Sequence, residues 1–160
     1  MNSKTRCFLC ALAVGFAVVA SAAPTLAVTK KLMQGAGCQW ESNNPQDFYG
    51  IYGPYHPDDV VRSLVCPITR SNVTNTNGLT DLEVRLRAIG SQFVECTAYS
   101  LRPDLTVVKS VTKSAYGYPS IFFKIDFGAT LNASVANGSY AVRCSMPYSM
   151  YLVSVLWAEP

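Results

Sequence analysis

The chain has 160 residues, with 13 Lys and Arg against 10 Asp and Glu, and a formal net charge of +3. This length predicts one domain. Because the excess charge is small and the Lys and Arg are not clustered, the sequence argues against nucleic acid or an anionic membrane surface as a partner.

Residues 1–22 have the pattern of a secretory signal peptide. Two basic residues precede the apolar stretch 7–20, and the small residues at 20–22 fit the cleavage rule, so we expect cleavage after Ala22, with Ala27 as the alternative. The apolar stretch is shorter than the roughly 20 residues needed to cross a bilayer, and we predict no membrane span. Cleavage removes 2 of the 13 basic residues and no acid, leaving 11 bases, 10 acids and a net charge of +1. The predicted location is secreted, extracellular or periplasmic.

Residues 23–59 are predicted to be an irregular segment rich in Gly, Tyr and Pro, because these residues favour turns. This segment and a later loop, 114–120, carry aromatic side chains. We expect these side chains either to stack on sugar rings or a partner chain, or to fill the open end of a sandwich. The candidate ligand or partner surface comprises Trp40, Tyr49, Tyr52, Tyr55, Tyr116 and Tyr118.

Residues 60–160 are predicted to form a β-sandwich, as one domain with the preceding segment. Apolar and polar residues alternate with the period of two that marks a half-buried strand. The predicted strands are 59–68, 82–89, 93–100, 105–113, 120–128, 139–146 and 150–157. Their spacing of roughly ten residues, without an amphipathic helix, predicts an all-β, antiparallel sandwich or jelly-roll of about seven to eight strands.

Residues 82–100 are predicted to form a hairpin. A three-residue loop, 90–92, would pair Leu86 with Cys96 and set Arg87 opposite Glu95 on the solvent face. A two-residue loop would mix core and solvent faces, so the longer loop is expected.

The C-terminal strands carry the strongest apolar pattern. Pro147 cannot donate to a sheet ladder and should separate the last two strands. The final strand, 150–157, is apolar on both faces, which predicts a central position in a sheet covered on both sides, or an interface. By contrast, 105–113 carries Lys109 and Lys113, as expected of a protected edge strand.

Four cysteines remain after the predicted cleavage: Cys38, Cys66, Cys96 and Cys144. An even number in an exported chain predicts two disulfides. No two of these four cysteines are close in the sequence or form a CxxC motif, which argues against a metal site. Of the three possible connectivities we predict Cys38 with Cys66 and Cys96 with Cys144. Cys96 and Cys144 lie in the middle of predicted strands and face inward. Cys66 lies on the strong predicted strand that is nearest to Cys38 in the sequence. By loop-closure entropy each bridge is worth roughly 3.5–4 kcal/mol.

The sequence offers little chemistry for catalysis. His56 is the only histidine and lies beside Asp58 and Asp59 in a turn-rich loop, with no GxSxG or DxDxDG motif in the chain. We therefore predict no catalytic residue, metal or cofactor, and no enzyme. The predicted function is a secreted, non-enzymatic extracellular interaction or structural protein, self-assembly included. The alternative is a carbohydrate-binding β-sandwich that uses the aromatic loop residues.

The order VRSLVCPI, LEVRLRAIG, FVECTAYS, SYAVRCSMP and YLVSVLWAE within 38–159 resembles a loose family of uncharacterised secreted bacterial β-sandwich proteins with four cysteines. The resemblance rests on the placement of the cysteine-bearing strands. It implies that secretion and this set of four cysteines occur together. It carries no assigned activity and assigns no site residue.

Overall fold

The computed structural model describes residues 30–41, 48–50, 52–55 and 60–160, and for 48–50 the backbone alone. The predicted signal peptide, 1–22, lies outside the described residues, as do His56, Asp58 and Asp59.

The described residues form eleven strands and two short 3-10 helices, Gly35–Gly37 and Gly128–Thr130. No α-helix is present among them. The strands are β1 Lys31–Gln34, β2 Gln39–Trp40, β3 Phe48–Gly50, β4 Gly53–Tyr55, β5 Arg62–Ile68, β6 Asp81–Ala88, β7 Gln92–Leu101, β8 Val107–Gly117, β9 Phe122–Asp126, β10 Ser139–Met146 and β11 Met150–Ala158.

Nine of the strands make two antiparallel sheets with the orders β1-β11-β6-β9 and β2-β5-β10-β7-β8, and β3 and β4 form a separate hairpin. The pairs β1·β11, β5·β10, β6·β9 and β7·β8 are nested within one another along the chain. This nesting is that of a jelly roll, in which one long hairpin is wound into two facing sheets. The predicted all-β antiparallel fold is confirmed, and β5 to β11 correspond to the seven predicted strands. The strand number is higher than expected because β1 to β4 are too short to show an alternating pattern.

Both sheets bury their inward faces in one apolar core. Leu64, Val94 and Val142 come from the five-stranded sheet, and Leu86 and Leu152 come from the four-stranded sheet. All five side chains are fully buried. The shared core defines a sandwich, in which side chains from two sheets interdigitate.

Two disulfides lie within this core and confirm the predicted pairing. Cys96 on β7 is directly opposite Cys144 on β10, with 4.0 Å between the Cα atoms. Cys38 bonds to Cys66 on β5, with 4.1 Å between the Cα atoms. All four cysteines are fully buried. The Cys38–Cys66 disulfide attaches the N-terminal segment to the five-stranded sheet.

The predicted 82–100 hairpin is wrong, because β6 and β7 belong to different sheets. Residues 89–91 instead form an arch that carries the chain from one sheet to the other. Arg87 lies opposite Tyr151 and Phe122, not Glu95. Alternation predicts which side chains face the core. It cannot distinguish a hairpin from an arch, because both arrangements keep the apolar faces inward.

The apolar pattern on both faces of the last strand is explained by a bulge in β11. The register with β6 shifts between Leu152 and Ser154. As a result Leu152 and Val155 both face the core, although strict alternation would put them on opposite faces. The predicted central position is confirmed, since β11 lies between β1 and β6. In the described part of the chain β8 is an edge strand, as its lysines predict.

Candidate functional site

The outer face of the four-stranded sheet carries a cross-strand row of Tyr151, Arg87 and Phe122 from β11, β6 and β9. The β3–β4 hairpin covers part of this row. The guanidinium carbon of Arg87 lies 4.1 Å from the ring centroid of Tyr52 and 5.5 Å from that of Phe122. These are cation–π distances, so the three side chains hold one another in place.

The β3–β4 hairpin is fixed to β11 by aromatic packing and by a close backbone approach. Tyr55 stacks on Tyr151 with 4.7 Å between ring centroids, and Tyr52 meets the same ring edge-on at 5.7 Å. A Cβ atom on Gly53, whose φ is +123°, would lie 2.0 Å from the carbonyl oxygen of Leu152. Only glycine therefore fits at the crossing, and the hairpin meets β11 at its bulge.

Beside the row lies an open groove of about 640 Å³, which we call the outer-face groove. This volume is within the range typical of ligand pockets. The lining residues come from β1, β6, β9 and β11: Leu32, Gln34, Glu83, Arg85, Phe122, Phe123, Lys124, Val153 and Ser154. The groove therefore crosses all four strands of the sheet.

Glu83 lines the groove and is held between two cations. Its side chain is 8% exposed and accepts hydrogen bonds from Arg85 Nε at 2.6 Å and Lys124 Nζ at 3.0 Å. Lys124 also contacts Asp126 at 3.0 Å. Burial alone would raise the pKa of Glu83. The hydrogen bonds from Arg85 and Lys124 outweigh burial and lower that pKa below its ordinary value of 4.5. The carboxyl is therefore an anion that orders the groove.

One end of the sandwich, where β6 and β8 finish and β9 and β11 begin, carries a cluster of exposed apolar side chains. The loops at this end are joined by hydrogen bonds from Ile89 N to Ser149 O and from Ser120 N to Ala88 O. We call this surface the apolar end. It comprises Val60, Val61, Ile89, Phe93, Tyr116, Tyr118, Ile121 and Tyr148. These are eight of the thirteen exposed large hydrophobic side chains in the described part of the chain.

The six aromatic residues singled out in the sequence occupy separate places. Tyr52 and Tyr55 are half-buried against the four-stranded sheet. Trp40 lies on β2, at an edge of the opposite sheet, and packs against the core. Tyr116 and Tyr118 meet edge-on at 5.3 Å within the apolar end and are 51% and 59% exposed. The side chain of Tyr49 lies outside the described residues.

Sequence reasoning missed Glu83, Arg85, Arg87 and Phe122 as parts of one surface. Their outward positions follow from strand alternation. Their proximity depends on the β11-β6-β9 order of the sheet, which alternation does not encode.

No protein-family model matches the chain, and no curated protein is similar to it. Among solved structures, the chain is similar to that of the Podospora anserina GH26-CBM35 β-(1,4)-mannanase, with 15% sequence identity and a TM-score of 0.46. The match covers 82% of this chain and 28% of that chain. At this identity and TM-score the likeness does not extend to function. No helix in the described residues has the length and apolar character required to span a membrane.

Proposed function

We propose that the protein is a secreted, non-enzymatic interaction protein that associates with a second copy of itself through the apolar end. The observation that carries this proposal is the concentration of eight of the thirteen exposed large hydrophobic side chains at that end. Exposed apolar side chains that collect in one region mark interaction sites, because monomeric soluble proteins rarely leave large apolar patches exposed.

The composition of the apolar end favours a second copy over an unrelated partner. Three of the segments that form the apolar end, 88–93, 115–121 and 146–150, contain no charged residue, whereas Val60 and Val61 are flanked by Asp59 and Arg62. Interfaces between identical subunits are more apolar than transient interfaces with other proteins, and their cores are depleted in charge and enriched in Tyr and Phe. A two-fold dimer brings the same patch from each copy together, so these three uncharged segments bring no like charges into contact.

Two further observations support export and argue against Glu83 as a general acid. Disulfides persist in oxidising compartments, which fits the two bridges of the core. A carboxyl acting as a general acid would require a raised pKa. The pKa of Glu83, the buried carboxyl of the groove, is lowered.

Carbohydrate binding is a second candidate function, favoured by the outer-face groove. The loop tyrosines are less suited to it than the sequence alone predicts. Tyr55 stacks on Tyr151, and Tyr52 covers Arg87, so these rings are already engaged in packing.

Sedimentation velocity of protein purified from a secretory host tests self-association. We expect a concentration-dependent dimer in the wild type and a monomer in the double variant Phe93→Ser, Tyr118→Ser. The matched control, Leu105→Ser with Val107→Ser, removes two exposed apolar side chains at the opposite end of the sandwich and should remain dimeric. A monomeric wild type, or equal loss of dimer in both variants, contradicts the proposal.

A further inference from the structure

The outer-face groove combines apolar walls with a polar floor. Leu32 on β1 and Phe122 on β9 are 55% and 58% exposed and stand on its outer strands. Glu83 and Arg85 lie between these strands on β6, and Lys124 lies on β9 with Phe122. Four strands span three inter-strand spacings, roughly 14 Å at about 4.8 Å each. The groove is thus long enough for an extended chain of several small units.

The charged groups of the floor are paired in a connected network. Glu83 contacts Arg85 and Lys124, and Lys124 also contacts Asp126, which lies beside the groove. An anionic ligand would meet both carboxylates, and a cationic ligand would meet both basic groups. Because these groups are already paired, a charged ligand would have to displace one of the partners, and the floor therefore favours a ligand without net charge.

The same network retains hydrogen-bonding capacity. Arg85 uses its Nε on Glu83, and within the described residues its two Nη groups have no partner. Lys124 donates to two carboxylates and has a third proton, and the amide of Gln34 is exposed on the rim. Donors and acceptors therefore stand side by side. Hydroxyl groups use both, because each hydroxyl donates one hydrogen bond and accepts two.

Phe122 supplies an aromatic surface next to these polar groups. Its ring meets Tyr52 edge-on at 6.0 Å and lies 5.5 Å from the guanidinium carbon of Arg87. These contacts fix the ring before a ligand arrives, which reduces the entropy lost on binding. A fixed, exposed ring beside paired donors and acceptors suits a ligand with an apolar C–H face and a rim of hydroxyl groups.

From this arrangement we propose that the outer-face groove binds a neutral oligosaccharide. Phe122 packs against the C–H face of a sugar ring, and Arg85, Lys124 and Glu83 bind its hydroxyl groups. This site is separate from the apolar end and does not depend on self-association.

Calorimetric titration with linear neutral pentasaccharides of glucose, mannose or xylose tests the site, with a pentasaccharide of galacturonate as the anionic comparison. We expect at least one neutral ligand to bind more tightly than the anionic one. Phe122→Ala should weaken that binding at least tenfold, and Arg85→Gln should weaken it several-fold. Phe93→Ala is the matched control, because this phenylalanine is 57% exposed, close to the 58% of Phe122, but lies in the apolar end. Its affinity should equal that of the wild type.

The proposal is overturned if none of the neutral pentasaccharides binds, if the galacturonate ligand binds best, or if Phe93→Ala and Phe122→Ala weaken binding equally. Thermal unfolding of each variant checks that it is folded, and Arg85→Gln provides a second, conservative variant. The two proposals fail separately. Phe122→Ala should lose the sugar and keep the dimer, whereas Phe93→Ser with Tyr118→Ser should lose the dimer and keep the sugar.

Discussion

Replacement of Arg70 should destabilise the protein more than replacement of any exposed basic residue. The Arg70 side chain is only 3% exposed and lies at the end of the sandwich opposite the apolar end, with its Nε 3.7 Å from the buried carboxylate of Glu159. Its guanidinium carbon also lies 5.1 Å from the ring centroid of Tyr140. Its Nη groups donate to four backbone carbonyls in two loops, those of Asn72, Asn75, Val135 and Gly138.

The magnitude follows from what each substitution leaves behind. Removing one partner of a buried ion pair costs about 3–5 kcal/mol. Arg70→Ala should fall near the middle of that range, about 4 kcal/mol, since Lys31 still faces Glu159 and water reaches part of the loops. Arg70→Lys keeps the charge but cannot reach both loops with one ammonium group. It should lose about two charge-assisted hydrogen bonds, roughly 3 kcal/mol at about 1.5 kcal/mol each.

Urea unfolding followed by fluorescence measures both variants, with stability compared at an unchanged m-value. Arg143→Ala is the control, because its ion pair with Glu41 has side chains that are 47% and 42% exposed, and should cost less than ~1 kcal/mol. The reasoning is refuted if Arg70→Ala costs no more than Arg143→Ala, or if Arg70→Lys matches the wild type.

Two other predictions concern stability. Gly53→Ala should lower the free energy of unfolding by about 2 kcal/mol or more, measured by thermal unfolding, because the φ of Gly53 is +123° and an added Cβ would meet the carbonyl of Leu152. Gly90→Ala is the control and should change stability little, since the nearest atom to its added Cβ is 4.0 Å away. Equal effects of the two substitutions would contradict this prediction. Burial would raise the pKa of Glu159, but hydrogen bonds from Ser71 and Lys31 lower it below 4.5. The ionised carboxylate thus stabilises the fold above pH 4.5, and this contribution is lost as the pH falls through the lowered pKa. Urea unfolding between pH 6 and 3 should therefore show a smaller loss of stability in Glu159→Gln than in the wild type. An equal loss of stability in the two proteins would contradict the assignment.

Local pattern predicted the strands and both disulfides of this fold. Cys96 and Cys144 lie on inward faces of strands with clear alternation, so their meeting in the core required only that the two strands pair. The error at residues 82–100 has a different origin. Gly90 and Ser91 suit both an arch and a hairpin turn, and the choice between them depends on how the strands are ordered in the two sheets.

The candidate site was less predictable because it depends on neighbours across strands. Arg87 and Phe122 are 35 residues apart in the sequence and face each other only because β6 pairs with β9. Tyr52 reaches Arg87 because Gly53 allows the β3–β4 hairpin to cross β11 at its bulge. The aromatic loop residues were recognisable as a group from composition. Their division between the sheet face and the apolar end required the sheet order.

Amide hydrogen exchange at two protein concentrations tests the proposed self-association most directly. At a concentration that favours the dimer, segments 88–93, 116–121 and 147–150 should exchange more slowly than at high dilution, because the second copy excludes water from them. Residues 102–106, at the opposite end of the sandwich, should exchange at the same rate in both samples. Unchanged exchange at the apolar end, or slowing confined to the opposite end, would contradict the proposal.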